Sequence, residues 1–177
     1  GQGFSRINNS GITRFHSGNT DMVGIPDDIN FIVITGFAED SKGNIWVLNL
    51  NAADSKSLYV FTKDSMYSFR NPLEQHIGYC EVENLVIDEY GTKWYTMGNE
   101  GSLGLFYFNE KGTFDDPSDD VYGYITTAKG LKSNAIYSLA IDRRGDLWVG
   151  TSLGVNIISN VDAVLTSQNP QLKITES

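Results

Sequence analysis

Apolar side chains in this chain gather in short runs of four to seven residues, rich in Ile, Val, Phe, Tyr and Trp and bounded by Asp, Gly, Asn or Ser. Runs such as Ile45-Trp46-Val47-Leu48, Leu58-Tyr59-Val60-Phe61 and Leu105-Phe106-Tyr107-Phe108 have the length and composition of β-strands. No stretch sustains a helical period of apolar positions. The pattern predicts an all-β chain of short strands joined by tight turns.

The runs also repeat. Ile34, Phe37, Asp40, Gly43 and Trp46 align without gaps with Val82, Leu85, Asp88, Gly91 and Trp94, and again with Ile136, Leu139, Asp142, Gly145 and Trp148. The starts of these units lie 48 and 54 residues apart, and the alignment takes in all three tryptophans of the chain. In Asp-x-x-Gly the carboxylate accepts backbone N–H groups of a turn, and glycine supplies the positive φ that a tight hairpin needs. The tryptophan then falls at one fixed place in the second strand, where its ring wedges between neighbouring sheets as core.

A further run follows each motif: Ser57 to Thr62, Gly104 to Asn109 and Gly154 to Ser159, with Gly3 to Asn8 in the same register near the N-terminus. A third piece comes next at Gly11 to Phe15, Ser65 to Phe69 and Gly112 to Phe114. A repeat of this length with four short strands describes a β-propeller blade.

The expected architecture is therefore a β-propeller fragment, about three four-stranded blades plus a partial N-terminal one. Residues 1–33 form the end of a preceding blade and its connection, 34–81 and 82–135 two blades, 136–160 an incomplete blade, and 161–177 a linker or extended tail. At a mean repeat of about 51 residues, 177 residues give roughly 3.5 blades, below the usual four to eight. This predicts a piece of a larger propeller, with the remainder of that propeller as its first partner.

Composition narrows the partners. The net charge is −9 and no Lys/Arg cluster reverses it locally, which argues against nucleic acid and anionic lipid surfaces. No apolar run is long enough for membrane insertion, and the N-terminus lacks a signal-peptide pattern. The single cysteine, Cys80, makes neither an intramolecular disulfide nor a chelating pair.

The segment from Asn134 to Val155, with Gly130-Leu131-Lys132-Ser133-Asn134 before it, resembles the two-component-regulator propeller repeat, departing from its lead-in where Lys132 replaces proline. The first two units depart after the tryptophan, where Val47-Leu48-Asn49 and Tyr95-Thr96-Met97 replace the apolar-Gly-Thr seen in Val149-Gly150-Thr151. Their longer loops look like the propellers of the type IX secretion accessory protein of Bacteroidetes. The resemblance implies an extracytoplasmic module, in the periplasm or at the cell surface, that binds a glycan or a cell-envelope protein. Its setting is either a two-component sensor, in signal transduction, or type IX secretion.

The resemblance implies no catalytic residues, no cofactor and no metal. Asp40, Asp88 and Asp142 are explained by the turns they precede. His16 and His76 have no metal-ligand spacing around them, and Asp115-Asp116-Pro117-Ser118-Asp119-Asp120 lacks the alternation of a calcium loop. A propeller lyase that inactivates streptogramin antibiotics has similar blades, so a lyase or hydrolase acting on a polysaccharide or antibiotic is the alternative; its catalytic histidine and metal-binding acids have no match here. Ligand residues are expected in the long loops, where side chains are free of packing: Asn49, Asn51, Asp54 and Lys56 in one, Asn99, Glu100 and Ser102 in another.

Overall fold

The computed structural model describes residues 2–70, 72–73, 81–98, 102–167 and 169–176. The described residues form fourteen strands: β1 (Phe4–Asn8), β2 (Gly11–Phe15), β3 (Ile34–Glu39), β4 (Ile45–Asn49), β5 (Leu58–Phe61), β6 (Met66–Phe69), β7 (Val82–Ile87), β8 (Lys93–Met97), β9 (Leu105–Asn109), β10 (Val121–Ile125), β11 (Ile136–Ile141), β12 (Leu147–Thr151), β13 (Gly154–Ile158) and β14 (Ile174–Glu176). They make a two-stranded sheet, β1-β2, and three four-stranded antiparallel meanders, β3 to β6, β7 to β10 and β11 to β14. The first strands of the meanders lie side by side, β3 against β7 and β7 against β11, so the sheets fan from a common edge as propeller blades do. Each first strand is irregular near its start, between Ile34 and Gly36, Glu83 and Val86, and Ile136 and Ser138. Thr35 Oγ1 donates to the Val82 carbonyl there, tying two neighbouring first strands together.

The repeated motif is a turn closed by its own aspartate. Asp40 Oδ1 accepts the amides of Lys42 and Asn44, and Asp40 Oδ2 accepts Trp46 Nε1 at 3.0 Å. Asp88 holds Tyr90, Thr92 and Trp94 in the same way, and Asp142 holds Arg144, Asp146 and Trp148. Gly43, Gly91 and Gly145 take φ of +80°, +80° and +84°. The six-residue spacing from Asp to Trp thus has a direct cause: the carboxylate that caps the turn also satisfies the indole N–H that burial would otherwise leave unpaired.

Cores lie between sheets. Phe4, Phe15, Met22 and Ile32 pack on Val47 and Tyr59; Trp46, Leu48 and Phe69 pack on Tyr95, Phe106 and Phe108; Trp94, Leu105 and Tyr107 pack on Leu147, Val149 and Ile158. Trp46 and Trp94 are fully buried in these seams. Trp148 departs from the expected core role: it is half-buried, because among the described residues no sheet packs on its face of the β11–β14 meander.

Two further expectations are corrected. The stretch after Asn160 is not a linker: a 3-10 helix at Val161–Leu165 buries Val161 and Val164, and β14 pairs with β13, so the blade expected to be incomplete at 136–160 has four strands. The apolar residues Val161, Val164, Leu172 and Ile174 drive this docking onto the last core. The third piece at Gly112 to Phe114 is not a strand either. The outer strand of that sheet is β10, and Phe114 instead reaches across from the β9–β10 loop to Trp46, Tyr67 and Phe69. Among the described residues no helix is long and apolar enough to cross a membrane.

Candidate functional site

The loops expected to carry ligand residues have unequal fates. Asn49 is not free of packing duty: it is fully buried, and its Nδ2 donates to the Val23 carbonyl at 2.7 Å. With Leu50 N to Val33 O and Ala53 N to Gly24 O, it anchors the connection that precedes β3. Asn51 sits at φ +52° with its Oδ1 buried, and Asp54 Oδ1 accepts the Lys56 amide. The phenol of Tyr59, buried beside them, is pushed up to about 12, first by burial and then by the Asp54 charge. Asn99 and Glu100, like His76 and Cys80, lie outside the described residues. Ser102 is exposed and lines a groove.

That groove, of about 410 Å³, is the candidate site that contains a residue expected from the sequence. Its apolar lining comes from Leu73, Leu103, Phe106 and Tyr124, and its polar lining from Ser102, Thr126 and Asn134. Tyr124 on β10 pairs across the ladder with Phe106 on β9, and the rings stack at 5.5 Å. Ser102 and Leu103 come from the β8–β9 loop, and Asn134 from the connection into β11. Asn134 Oδ1 accepts the Thr127 amide, which fixes the side chain and leaves its NH2 to donate elsewhere. Among the described residues no carboxylate or ammonium is in the lining, and the groups that are there suit an uncharged ring or side chain. Composition gave no sign of it, because placing a strand at Gly112 to Phe114 hid the Val121-Tyr122-Gly123-Tyr124-Ile125 alternation, which puts two aromatics on one face of the true outer strand.

A second cleft, of about 290 Å³, opens between the turns at Asp40 to Lys42 and Glu89 to Gly91, and several of its charged groups are engaged by the protein itself. Lys93 is buried, pairs with Glu110 and lies 3.7 Å above the centre of the Trp46 ring. Burial pulls its ammonium below the ordinary lysine value, against the pull of Glu110. Lys111 Nζ donates to the Leu165 carbonyl. His16 Nδ1 accepts the Gly18 amide. In the acidic loop, Asp116 accepts Ser118 and Asp119 accepts Thr113. Among the described residues no three His, Cys, Asp or Glu side chains gather as metal ligands.

Fan-like antiparallel sheets, a repeated Asp-Gly-Trp turn and a groove among the connecting loops define a β-propeller segment. Residues 130–152 match the family model described as Two component regulator propeller, the stretch running into β11 and β12. In overall structure the chain is similar to PorZ, a bacterial surface component of the type-IX secretion system of Porphyromonas gingivalis, with a TM-score of 0.78 and 24% identity over 99% of this chain and 24% of that one. It therefore spans about a quarter of that protein. The extracellular domain of a hybrid two component system from B. thetaiotaomicron also aligns, at a TM-score of 0.41 and 15% identity, over 97% of this chain and 28% of that one. No curated protein matches the chain in sequence.

Proposed function

We propose that the chain is the binding part of an extracytoplasmic β-propeller, recognising a glycan or a partner protein without catalysing a reaction, as part of a two-component sensor or of the type IX secretion machinery. The observation that carries this is the groove between Tyr124 and Asn134: without charge among its described residues, aromatic on one side, with hydroxyl and amide groups placed to orient a ligand. The propeller likeness to a bacterial surface protein supports the location. The apolar faces left open on the end sheets, Ile7 and Ile12 on one and Trp148 on the other, fit a larger propeller whose further blades cover them.

A glycan array and a capture experiment with cell-envelope proteins test the reading, each run beside Tyr124→Ala. The expected result is a ligand whose binding falls about tenfold or more in the variant at unchanged melting temperature. Binding that Tyr124→Ala leaves intact would remove the groove from consideration. Reproducible turnover of a polysaccharide or antibiotic, abolished by chelator, would replace a binding module with an enzyme.

A further inference from the structure

The outer strands of the sheets differ in how they are protected. β2 carries Arg14 and β14 carries Glu176, whereas β6 and β10 have no charged residue and no proline, and of these two only β10 has exposed tyrosines, Tyr122 and Tyr124. Among the described residues β10 pairs with β9 alone, so one row of its backbone groups faces outward. Gly123 sits in its middle beneath the Tyr107 hydroxyl, where an added Cβ would approach the phenol oxygen to 2.1 Å, so a side chain there would displace the tyrosine.

A cleft opens on each side of this strand, at opposite ends. Beside Tyr124, on the face shared with the β3–β6 sheet, is the uncharged groove already described. Beside Val121, whose side chain faces the last sheet, a cleft of about 540 Å³, lined also by Tyr122, runs between Tyr107 and the 3-10 helix residues Val164 and Leu165. Asp120 lines this second cleft, and its Oδ1 is buried with no hydrogen-bond partner. Thr166 and Ser167 add hydroxyl-bearing side chains.

We propose that β10 is an acceptor edge for an extended segment of a partner protein, which adds as an antiparallel strand, sets an apolar side chain in the Tyr124 groove and a lysine or arginine beside Asp120. This deepens the binding-module reading and rests on it. An added strand sends alternate side chains to opposite faces, and the clefts lie three residues apart, from Val121 to Tyr124, an odd number as opposite faces require. Every strand pair in the four sheets is antiparallel, which places the apolar residue first and the basic residue three later. Val164 and Leu165 cover the aliphatic stem of the basic side chain, and its charge supplies the partner that the Asp120 oxygen lacks. At the other end the exposed Lys129 donates to the Tyr124 carbonyl at 3.2 Å, a contact that a strand amide displaces.

The Asp120 carboxyl is pushed up to about 6 by burial and by Asp119, Glu110 and Asp116, against the pull of Lys93. Its charge, and with it the attraction for a basic residue, is present above that value and lost as pH falls through it.

The probe is fluorescent acetyl-Thr-Phe-Thr-Val-Lys-Thr-amide, followed by anisotropy against this chain, with a glycan array run in parallel. Binding should weaken about tenfold in Tyr124→Ala, in Asp120→Asn and in the peptide with glutamate for lysine, and should fall between pH 7 and 5. Methylating one alternating set of peptide amides should abolish it while methylating the other set is tolerated, a result that requires no altered protein. Equal binding of both methylated sets, or of a peptide with the two side chains two residues apart, overturns strand addition. No anisotropy change at about 1 mM peptide together with a Tyr124-dependent glycan signal overturns it and leaves the groove standing. Silence in both assays overturns both readings.

Discussion

Trp46 and Trp148 occupy the same place in the same repeat and make the same hydrogen bond to an aspartate, yet their surroundings are opposite. Trp46 is sealed: Phe69 stacks on it at 5.2 Å, Phe114 meets its edge, and Lys93 from the next sheet caps its face. Trp148 makes its bond at 3.1 Å and stays half-exposed. The aspartates of these two turns both sit low: burial acts upward at each, but bonds from Asn44, Trp46 and Lys42 hold Asp40 below the ordinary 3.8, and bonds from Arg144, Trp148 and Asp146 bring Asp142 down to about 2. The middle turn differs, because burial drives the Asp88 carboxyl above 3.8 despite its bonds to Trp94, Thr92 and Tyr90. The motif therefore fixes a local turn, and the sheet packed against it fixes what the turn is worth.

The largest effect should come from the seam that Lys93 closes. Lys93→Met leaves Glu110 buried without a counter-charge and should cost about 3 to 5 kcal/mol, while Lys93→Met with Glu110→Gln should recover most of that loss. Urea unfolding of both variants decides it; a double variant no better than the single one would show that the lysine acts through its stacking on Trp46 alone.

Next is the pair of tryptophans. Trp94→Ala should cost about 3 to 5 kcal/mol, because its ring fills the seam between the third and last sheets. Trp148→Ala should cost roughly half as much or less, since less area leaves water on folding. Equal losses in denaturant titrations would mean that the aspartate bond, common to both, dominates over burial.

How much of this was legible in sequence follows from the same contrast. The turn is local, so Asp40, Gly43 and Trp46 and their repeats announced it by spacing, and with it the hairpins and the propeller fold. The Lys93 to Glu110 pair, the reach of Phe114 and the return of β14 onto β13 depend on which sheet lies beside which, and no spacing encodes that. The groove was half-visible: Ser102 was named from its loop, while Tyr124 and Asn134 come to it from segments 22 and 32 residues further along the chain. Asn49 was misjudged because a polar residue at a strand end looks like surface until the connection before β3 folds over it.

Acid should separate the two aspartates by sign. Asp142, lowered to about 2, contributes stability that is present above 3.8 and lost as pH falls toward 2. Asp88, raised, acts in the other direction: its contribution is present below 3.8 and lost as pH rises through its folded value. In melting temperature against pH, Asp142→Asn should flatten the decline between about 4 and 2, and Asp88→Asn should lessen the loss above 4. Parallel curves for the two variants would show that burial does not distinguish the sites.

The smallest effect isolates the turn from its surroundings. Gly91 and Gly145 share a positive φ, but a Cβ at Gly91 meets nothing within 4 Å, and one at Gly145 meets only Glu89 Oε1, the end of a flexible side chain, at 3.1 Å. Alanine at either position should therefore cost about the same, near 1 kcal/mol, through backbone strain alone. That Trp94 after Gly91 is fully buried and Trp148 after Gly145 only half-buried should make no difference, and a loss at Gly91 more than about twice that at Gly145 would mean that even the turn is set by the neighbouring sheet.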